Sequence, residues 1–233
     1  MKKLLLPLLF VATAVTAQVV TPYTDPTLFD GAAGATTTIN FTGLNGQYPS
    51  GFTISGVTFQ GINPSFQGQT QDSVFEVVDG ANLGAGAGNS VVYSLNDHTS
   101  TVFTTLITLP GAGVLSFATD IKIDDPNAAG TLKLQLFSGN QSLGTFTTSP
   151  FAPQVAGNPS TGNYTQFQFI GFTSDTPITS VQVGQYAGTG IANVVLDNVQ
   201  FGTAVPEPST WAALIGGGAL LLLAERRRRR QAR

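Results

Sequence analysis

Carboxylates are the side chains with which the central part of this 233-residue sequence could do chemistry. Between residues 18 and 205 they are Asp25, Asp30, Asp72, Glu76, Asp79, Asp97, Asp120, Asp124, Asp125, Asp175 and Asp197. Two carboxyl groups that face each other across a groove suffice for glycoside hydrolysis. Clustering selects Asp124 with Asp125 and Glu76 with Asp79. Both pairs lie near predicted strand ends beside turn residues, so we expect solvated turn carboxylates, with a secreted glycan hydrolase as one alternative function.

Other catalytic groups are scarce in this sequence. It contains no cysteine, which excludes thiol nucleophiles and thiolate metal sites. A serine triad would have to use the single histidine, His98, and no G-x-S-x-G segment occurs. The same shortage of ligands argues against zinc. We therefore expect His98 to be an ordinary loop residue and the protein to carry no catalytic residue of its own.

Two places in the sequence could hold a cation. DDPNAAG (124–130) supplies three oxygen ligands in a tight loop but lacks the later acidic ligand of cation-binding loops. Asp197 alternates in phase with Val195, Val199 and Phe201, which would direct its carboxylate toward the apolar side, whereas the opposite register would place it in solvent. A buried carboxylate must be paired, hydrogen-bonded or metal-bound. We expect no cofactor, with a structural calcium ion at Asp197 as the alternative to a capping or exposed role.

Aromatic side chains could support glycan binding. The body has fifteen Phe and five Tyr, whereas the one tryptophan, Trp211, lies near the C-terminus. Phenylalanines on alternating strands are expected in the core, which leaves as surface stackers Tyr23, Tyr48, Tyr93, Tyr164 and Tyr186. A protein resembling a carbohydrate-binding module is therefore a second alternative function.

Apolar and polar side chains alternate with a period of two along much of the body, which predicts the strands that position the residues named above. In TLKLQLF (131–137), the three leucines share one face and Thr131, Lys133 and Gln135 share the other. ITSVQV (178–183) is out of phase by one residue, which predicts a β-bulge after Thr179. Further candidate strands are 37–42, 52–59, 73–78, 90–95, 101–109, 113–123, 142–148, 164–172 and 193–201. About eleven strands in residues 18–204 predict an all-β fold, a single antiparallel β-sandwich of jelly-roll type.

Charge is distributed unevenly along the sequence. Lys122 and Lys133 are the only basic residues between 18 and 205, against eleven carboxylates, hence a formal charge of −9 for the body. An acidic body repels phosphate, so we expect no nucleic-acid partner.

The N-terminus has the layout of a secretory signal. In MKKLLLPLLFVATAVTA, two lysines precede an apolar stretch and small residues. Val15 and Ala17 suit the positions before a cleavage site, which predicts removal of residues 1–17 and a mature start at Gln18. The body would then be exported across the inner membrane.

The C-terminal segment combines an apolar run with basic residues. Trp211 to Ala224 is fourteen residues, about 21 Å as a helix, which is short for a hydrocarbon core of about 30 Å. We predict a short transmembrane helix at about 210–225. The arginines that follow it predict a cytoplasmic C-terminus; they are Arg226, Arg227, Arg228, Arg229 and Arg230. Lys2 and Lys3 predict the same side for the N-terminus, so the body lies outside.

The order of parts in residues 205–233 resembles a known sorting signal. Pro206, Glu207 and Pro208 are followed by a spacer, the apolar run and the arginines, as in the PEP-CTERM signal of Gram-negative bacteria. The resemblance implies recognition of the Pro-Glu-Pro by an exosortase, a membrane cysteine protease-transpeptidase, and transient anchoring in the inner membrane. The body would then be released to the cell surface or to exopolysaccharide. FIGFTSDTPITSVQV and LDNVQFG also resemble strands of PEP-CTERM ectodomains, which implies a jelly-roll sandwich and supplies no catalytic residue.

The sequence thus predicts an exported, non-catalytic protein of the cell surface or extracellular matrix. Its predicted partners are an exosortase, the inner membrane and, as an alternative, an exopolysaccharide or surface glycan.

Overall fold

The computed structural model describes residues 18–48, 51–62, 65–66, 69–70, 75–79, 90–94, 105–123, 129–151, 167–189 and 194–202. These residues form one α-helix, α1 (Pro26–Ala33), and sixteen strands. The strands are β1 (Val20–Tyr23), β2 (Thr37–Ile39), β3 (Gly46–Tyr48), β4 (Phe52–Ile54), β5 (Val57–Gly61), β6 (Ser65–Phe66), β7 (Gln69–Thr70), β8 (Phe75–Asp79), β9 (Ser90–Ser94), β10 (Thr105–Thr108), β11 (Val114–Ile123), β12 (Ala129–Ser138), β13 (Gln141–Thr147), β14 (Gln168–Ile178), β15 (Ser180–Thr189) and β16 (Val194–Gly202).

The strands form two large sheets. The eight-stranded sheet has the order β1-β14-β11-β16-β9-β8-β3, with β2 also paired to β16. The six-stranded sheet has the order β13-β12-β15-β10-β5-β4, and β6 and β7 form a small separate sheet. Neighbouring long strands such as β11 and β16, or β12 and β15, are antiparallel. The predicted all-β antiparallel sandwich is confirmed.

The hydrophobic core lies between the two large sheets. The eight-stranded sheet contributes Phe117 and Phe172, and the six-stranded sheet contributes Phe59 and Leu134, all fully buried. From β10 onward the chain crosses between the sheets at every connection except that from β12 to β13, with β11, β14 and β16 in one sheet and β12, β13 and β15 in the other. This alternation is the winding of a jelly roll. It also means that most consecutive strands after β10 lie in opposite layers of the molecule.

One predicted strand is a hairpin. Residues 52–59 form β4 and β5, joined at Ser55 and Gly56, whose φ angles of 51° and 79° are both positive. Positive φ at both central residues is the geometry of a two-residue type I′ turn. The rings of Phe52 and Phe59 stack across the hairpin with centroids 5.0 Å apart. The prediction of a single strand was wrong because the apolar positions change from even to odd residue numbers at the turn, which marks a reversal of the chain and not one continuous strand.

The predicted bulge after Thr179 is a crossing between sheets. β14 ends at Ile178 in the eight-stranded sheet, and β15 begins at Ser180 in the six-stranded sheet. The Thr179 backbone N–H donates to the Phe137 carbonyl at 2.8 Å, and its own carbonyl accepts from the Leu109 N–H at 2.9 Å. The change of phase in the sequence therefore reflects a change of sheet, which turns both Ile178 and Val181 into the core.

Helix α1 was not among the predicted elements. Asp25 caps it, since its Oδ1 accepts from the Thr27 N–H at 2.8 Å, and Pro26 occupies the first turn. Phe29 of the helix is fully buried against Ala118 on the outer face of the eight-stranded sheet. The helix thus covers part of the face of that sheet that points away from the core.

Several predictions fall outside the described residues. They are the signal peptide (1–17) with its cleavage site after Ala17, the sorting tail (205–233) with its membrane helix, the loop 124–128, and His98. Within the described ranges, no helix is long and apolar enough to cross a membrane.

Candidate functional site

Asp197 lies on β16, at the point where the register of this strand shifts. Ala118 of β11 is opposite Gln200, but Asp120 is opposite Asp197, so β16 holds one extra residue in this interval. Asn198 takes up the extra residue with a φ of 46°. Because of this bulge, Leu196 and Val199 both face the core, although alternation would place them on opposite sides.

The structure places Asp197 on the outer face of the eight-stranded sheet. Only 2% of its surface is exposed. Each of the two registers that the sequence left open is right in part. The first is right that Asp197 is buried and wrong about the face, and the second is right about the face and wrong that Asp197 lies in solvent, because the phase that includes Val199 and Phe201 begins only after the bulge. Asp197 instead shares the phase of Val195, which is buried outside the core cluster.

Asp120 faces Asp197 across the strand pair, and Asn198 binds both. The Asn198 backbone N–H donates to Asp197 Oδ1 at 2.7 Å, and its side-chain Nδ2 donates to Asp120 Oδ2 at 2.9 Å. The Thr119 hydroxyl donates to the Asp197 carbonyl oxygen at 2.9 Å and holds the backbone of the bulge. Two carboxyl groups and one amide therefore form a single hydrogen-bonded cluster on this face.

The cluster binds protons more tightly than isolated carboxyl groups do. Burial raises the pKa of Asp197 to about 6, the Asn198 backbone N–H opposes this, and the neighbouring Asp120 charge raises the pKa further. Burial also raises the pKa of Asp120, against the opposing hydrogen bond from the Asn198 side chain. At mildly acidic pH, the cluster therefore holds a proton that an exposed aspartate would have released.

Lys122 brings a positive charge to the same face. It lies two residues beyond Asp120 on β11, is 1% exposed, and its Nζ is 5.2 Å from the centroid of the Phe167 ring. This distance is within the range of a cation–π interaction. The outer face of β11 thus carries a half-buried carboxyl group, Asp120, and a buried ammonium group, Lys122.

The predicted metal site is only partly described. Among the residues that the structure describes, no three His, Cys, Asp or Glu side chains come together, so Asp120 and Asp197 have no third acidic ligand there. The side-chain amide that contacts Asp120 presents an N–H, which is not a metal ligand. The structural calcium ion at Asp197 stays a prediction.

The carboxylates proposed for hydrolysis are not brought together in the described ranges. Glu76 and Asp79 lie on β8, where only the strand itself is described, and Asp124 and Asp125 fall outside these ranges. The pair that does meet, Asp120 with Asp197, sits side by side on one sheet face, where opposed Cβ atoms are about 5 Å apart. A hydrolase of the usual kind requires its two carboxyl groups to flank a bound sugar.

The two sheets differ in charge. Seven of the eleven carboxylates of the body are in the described ranges, and five of these lie on strands of the eight-stranded sheet: Glu76, Asp79, Asp120, Asp175 and Asp197. The other two are Asp25 and Asp30, at the cap and in the helix packed on that sheet. The six strands of the other sheet contain no carboxylate, and Lys133 is their single charged residue.

The outer face of the six-stranded sheet carries a row of amides. Five residues on five adjacent strands are in register and form what we call the glutamine row: Gln60, Leu106, Gln182, Gln135 and Thr145. Gln60 and Thr145 are exposed and the three between them are half-buried. Their strand neighbours, such as Phe59, Ile107 and Val181, face the core.

Phe137 is the aromatic residue on this face that the sequence analysis missed. It is half-buried, lies outside the core cluster, and pairs with Ser180 on one side and Ser142 on the other. Its outward position could have been read from the sequence, since Phe137 is on the same face of the strand as the polar residues Thr131, Lys133 and Gln135. The expectation that phenylalanines on alternating strands lie in the core therefore fails for Phe137.

The tyrosines predicted as surface stackers are engaged elsewhere where they are described. Tyr23 packs on Phe29 with ring centroids 5.9 Å apart, and its hydroxyl lies 3.2 Å from Thr173 Oγ1. Tyr48 packs on Phe52 at 4.9 Å beside the core. Both are half-buried, so neither offers a free aromatic face of the predicted kind. The side chains of Tyr93, Tyr164 and Tyr186 lie outside the described part of the chain.

Comparison with known proteins gives weak structural similarities. No protein-family model and no curated protein matches the chain. Among solved structures, the K1 cleaved adhesin domain of Lys-gingipain from Porphyromonas gingivalis W83 is 12% identical, with a TM-score of 0.46, and the match covers 74% of this chain and 100% of that one.

Two other solved structures have lower scores. The K2 cleaved adhesin domain of Lys-gingipain is 13% identical, with a TM-score of 0.36 over 72% of this chain and 99% of that one. A family 11 carbohydrate-binding module from Clostridium thermocellum, in complex with a β-1,3-1,4-mixed-linked tetrasaccharide, is 16% identical, with a TM-score of 0.28 over 74% and 98%. No functional conclusion for this chain follows from similarities of this size.

Proposed function

We propose that this protein is an exported, non-catalytic protein of the cell surface or extracellular matrix whose sandwich binds polysaccharide. The observation that carries the proposal is the separation of charge between the two sheets, which leaves the six-stranded sheet with one lysine and no carboxylate. Its outer face consists mainly of amide and hydroxyl side chains, which both donate and accept hydrogen bonds. A polymer of hydroxyl groups matches such a surface.

The same surface is a poor match for a protein partner. The buried centre of a protein interface is about 65% apolar and rich in aromatic residues. The glutamine row contains one apolar residue, Leu106, and Phe137 is the aromatic residue we identify beside it. The composition of the face therefore favours a polyhydroxylated ligand over a protein.

Delivery is the second part of the proposal. The Pro206-Glu207-Pro208 triplet, the apolar run and Arg226 to Arg230 would direct the chain to an exosortase in the inner membrane. Removal of residues 205–233 would release the sandwich to the surface or to extracellular polysaccharide. The order of these sequence features supports this route, and the acidic body supports the absence of a nucleic-acid partner.

A glycan array tests the binding activity. Full-length protein in a mild detergent should be retained by one or more polysaccharide spots, both with calcium and with a chelator present. Retention by none of the glycans would contradict the proposal. Release of reducing ends from a retained glycan would contradict the non-catalytic part and favour the secreted hydrolase instead.

A further inference from the structure

We propose that the glutamine row, together with Phe137, is the binding site for a neutral polysaccharide chain that lies across the strands of the six-stranded sheet. The inference rests on the proposed function and adds the site, the direction of the ligand and its charge class.

The geometry of the row fits an extended polymer. Gln60, Leu106, Gln182, Gln135 and Thr145 are aligned across β5, β10, β15, β12 and β13. Adjacent strands are about 4.8 Å apart, so the row spans about 19 Å at nearly right angles to the strands. A chain of several sugar rings laid along the row would meet a polar side chain at almost every strand.

The amides supply the polar contacts. Each glutamine presents a carbonyl acceptor and two N–H donors, the combination that two neighbouring sugar hydroxyls can engage together. Gln135 Nε2 donates to Ser142 Oγ at 3.1 Å, which uses one donor and fixes the orientation of the amide. A side chain held in place in this way loses less conformational entropy when a ligand binds.

Leu106 and Phe137 supply the apolar contacts. Leu106 lies between Gln60 and Gln182 in the row, and Phe137 lies two residues beyond Gln135 on the same face of β12. Both side chains are half-buried outside the core cluster. Sugar rings present C–H groups on their faces, which pack on apolar and aromatic side chains while the ring hydroxyls reach the amides at the edges.

The charge of the face determines the class of polysaccharide. With a body charge of −9, the protein as a whole repels anionic polymers, and Lys133 alone does not reverse this. The row itself is uncharged, so binding requires no counter-ion release. We therefore assign a neutral polysaccharide to the site.

Affinity electrophoresis tests the site. Full-length protein in non-ionic detergent is run through gels that contain a β-glucan, an arabinoxylan, a dextran or, as the anionic polymer, alginate. We expect retardation by at least one neutral polysaccharide, unchanged when the ionic strength is raised tenfold. Changing both Gln135 and Gln182 to Ala should weaken this binding about tenfold or more, and Phe137→Ala should weaken it as well.

Gln200→Ala is the matched control, since Gln200 is a half-buried glutamine on β16 of the other sheet. Gln60→Glu is a second variant at an exposed position, where a folding defect is not expected, and it should also weaken binding. Thermal unfolding verifies that each variant is folded.

Four results would overturn the inference. If the wild type and the Gln135/Gln182 variant are retarded equally, the site is wrong and the proposed function stands. If no gel retards the wild type, the proposed function fails as well. Retardation by alginate alone would exclude a neutral ligand. A dimer that the Gln135/Gln182 substitution dissociates, as measured by sedimentation velocity, would assign the face to a second copy of the chain.

Discussion

Asn198 determines how the carboxyl groups of buried Asp197 and half-buried Asp120 are arranged. Its left-handed backbone, with a φ of 46°, aims its N–H at Asp197, and its side chain reaches Asp120. Asparagine adopts this conformation more readily than most residues. One residue therefore closes the bulge and gives each carboxyl group a hydrogen bond, which lowers the cost of burying both acids.

Replacing Asp197 with asparagine should flatten the dependence of the free energy of unfolding on pH. The pKa of Asp197 is about 6 in the folded protein, against about 3.9 in an unfolded chain. Because the folded value is higher, its contribution to stability is full below about pH 4 and is lost as the pH rises through about 6. At neutral pH, Asp197→Asn should therefore be more stable than the wild type, by at most about 2 kcal/mol. Denaturant titrations at acidic and neutral pH measure this.

The control is Asp30→Asn, which changes an exposed carboxylate on α1. Any effect that the two variants share comes from the loss of one carboxylate from the acidic body and not from the burial of Asp197. The calcium hypothesis predicts the reverse at neutral pH, because a bound cation would stabilise the ionised pair and chelation would lower the Tm of the wild type. If chelation leaves the Tm unchanged and Asp197→Asn is stabilising, Asp197 is not a metal ligand.

The position of Asp197 shows what alternation can and cannot predict at the scale of single residues. One of the two registers that VVLDNVQF allows predicted the burial of Asp197 that the structure shows. Alternation could not predict the face, because a bulge depends on the strand opposite, and β11 is more than 70 residues earlier in the sequence. The Asp197-Asn198 dipeptide, with a residue tolerant of positive φ, was the only local sign of it.

At the scale of elements, Gly171 allows α1 to pack on the sheet. A Cβ at this position would lie 2.7 Å from Cδ2 of Phe29, the residue by which the helix is anchored. Gly171→Ala should therefore lower the free energy of unfolding by about 1–3 kcal/mol, since either the helix or the strand must shift. Urea titrations give the value.

Gly31→Ala is the matched control within α1. No atom lies within 4 Å of the added Cβ, and alanine favours a helix over glycine, so this variant should gain about 0.5–1 kcal/mol. If Gly171→Ala were as stable as the wild type, the contact between Phe29 and β14 would not be the one that holds the helix.

The elements were predictable to the extent that their signals are local. Alternation located β11, β12 and β16 to within two residues at either end. The cap signal of Asp25 and Pro26 was equally local and would have predicted α1. The crossing at Thr179 could not be predicted in this way. A bulge and a strand that changes sheet both shift the apolar alternation by one residue, so the sequence does not distinguish them.

At the scale of the whole molecule, the sequence predicted an acidic body but not which of the two sheets carries the carboxylates. Asp120 and Lys133 are thirteen residues apart, yet they belong to opposite sheets, because the chain alternates between layers. Assigning charge to a sheet requires the strand order, which long-range pairing determines. The glutamine row was hidden for the same reason, since its five residues come from five strands separated by up to 122 positions between Gln60 and Gln182.

The predicted sorting route is tested on the whole chain. Changing Pro206, Glu207 and Pro208 to alanines should leave the protein in the inner membrane with its tail attached, because the recognition site for the exosortase would be lost. Immunoblots of membrane and extracellular fractions from a host with an exosortase measure the result. Mass spectrometry of the released wild-type protein should show a C-terminus near residue 205. Unchanged release and cleavage of the triple variant would contradict the route.

The uneven distribution of carboxylates between the two sheets also gives the sandwich an electric dipole. Packed sheets lie about 10 Å apart, so the carboxylates of the eight-stranded sheet and Lys133 on the other form a dipole across the thickness of the molecule. Near any negatively charged surface this dipole experiences a torque that turns the six-stranded sheet inward. The six-stranded sheet, which carries the proposed binding face, would therefore lead as the protein approaches such a surface, although a neutral polymer itself exerts no torque.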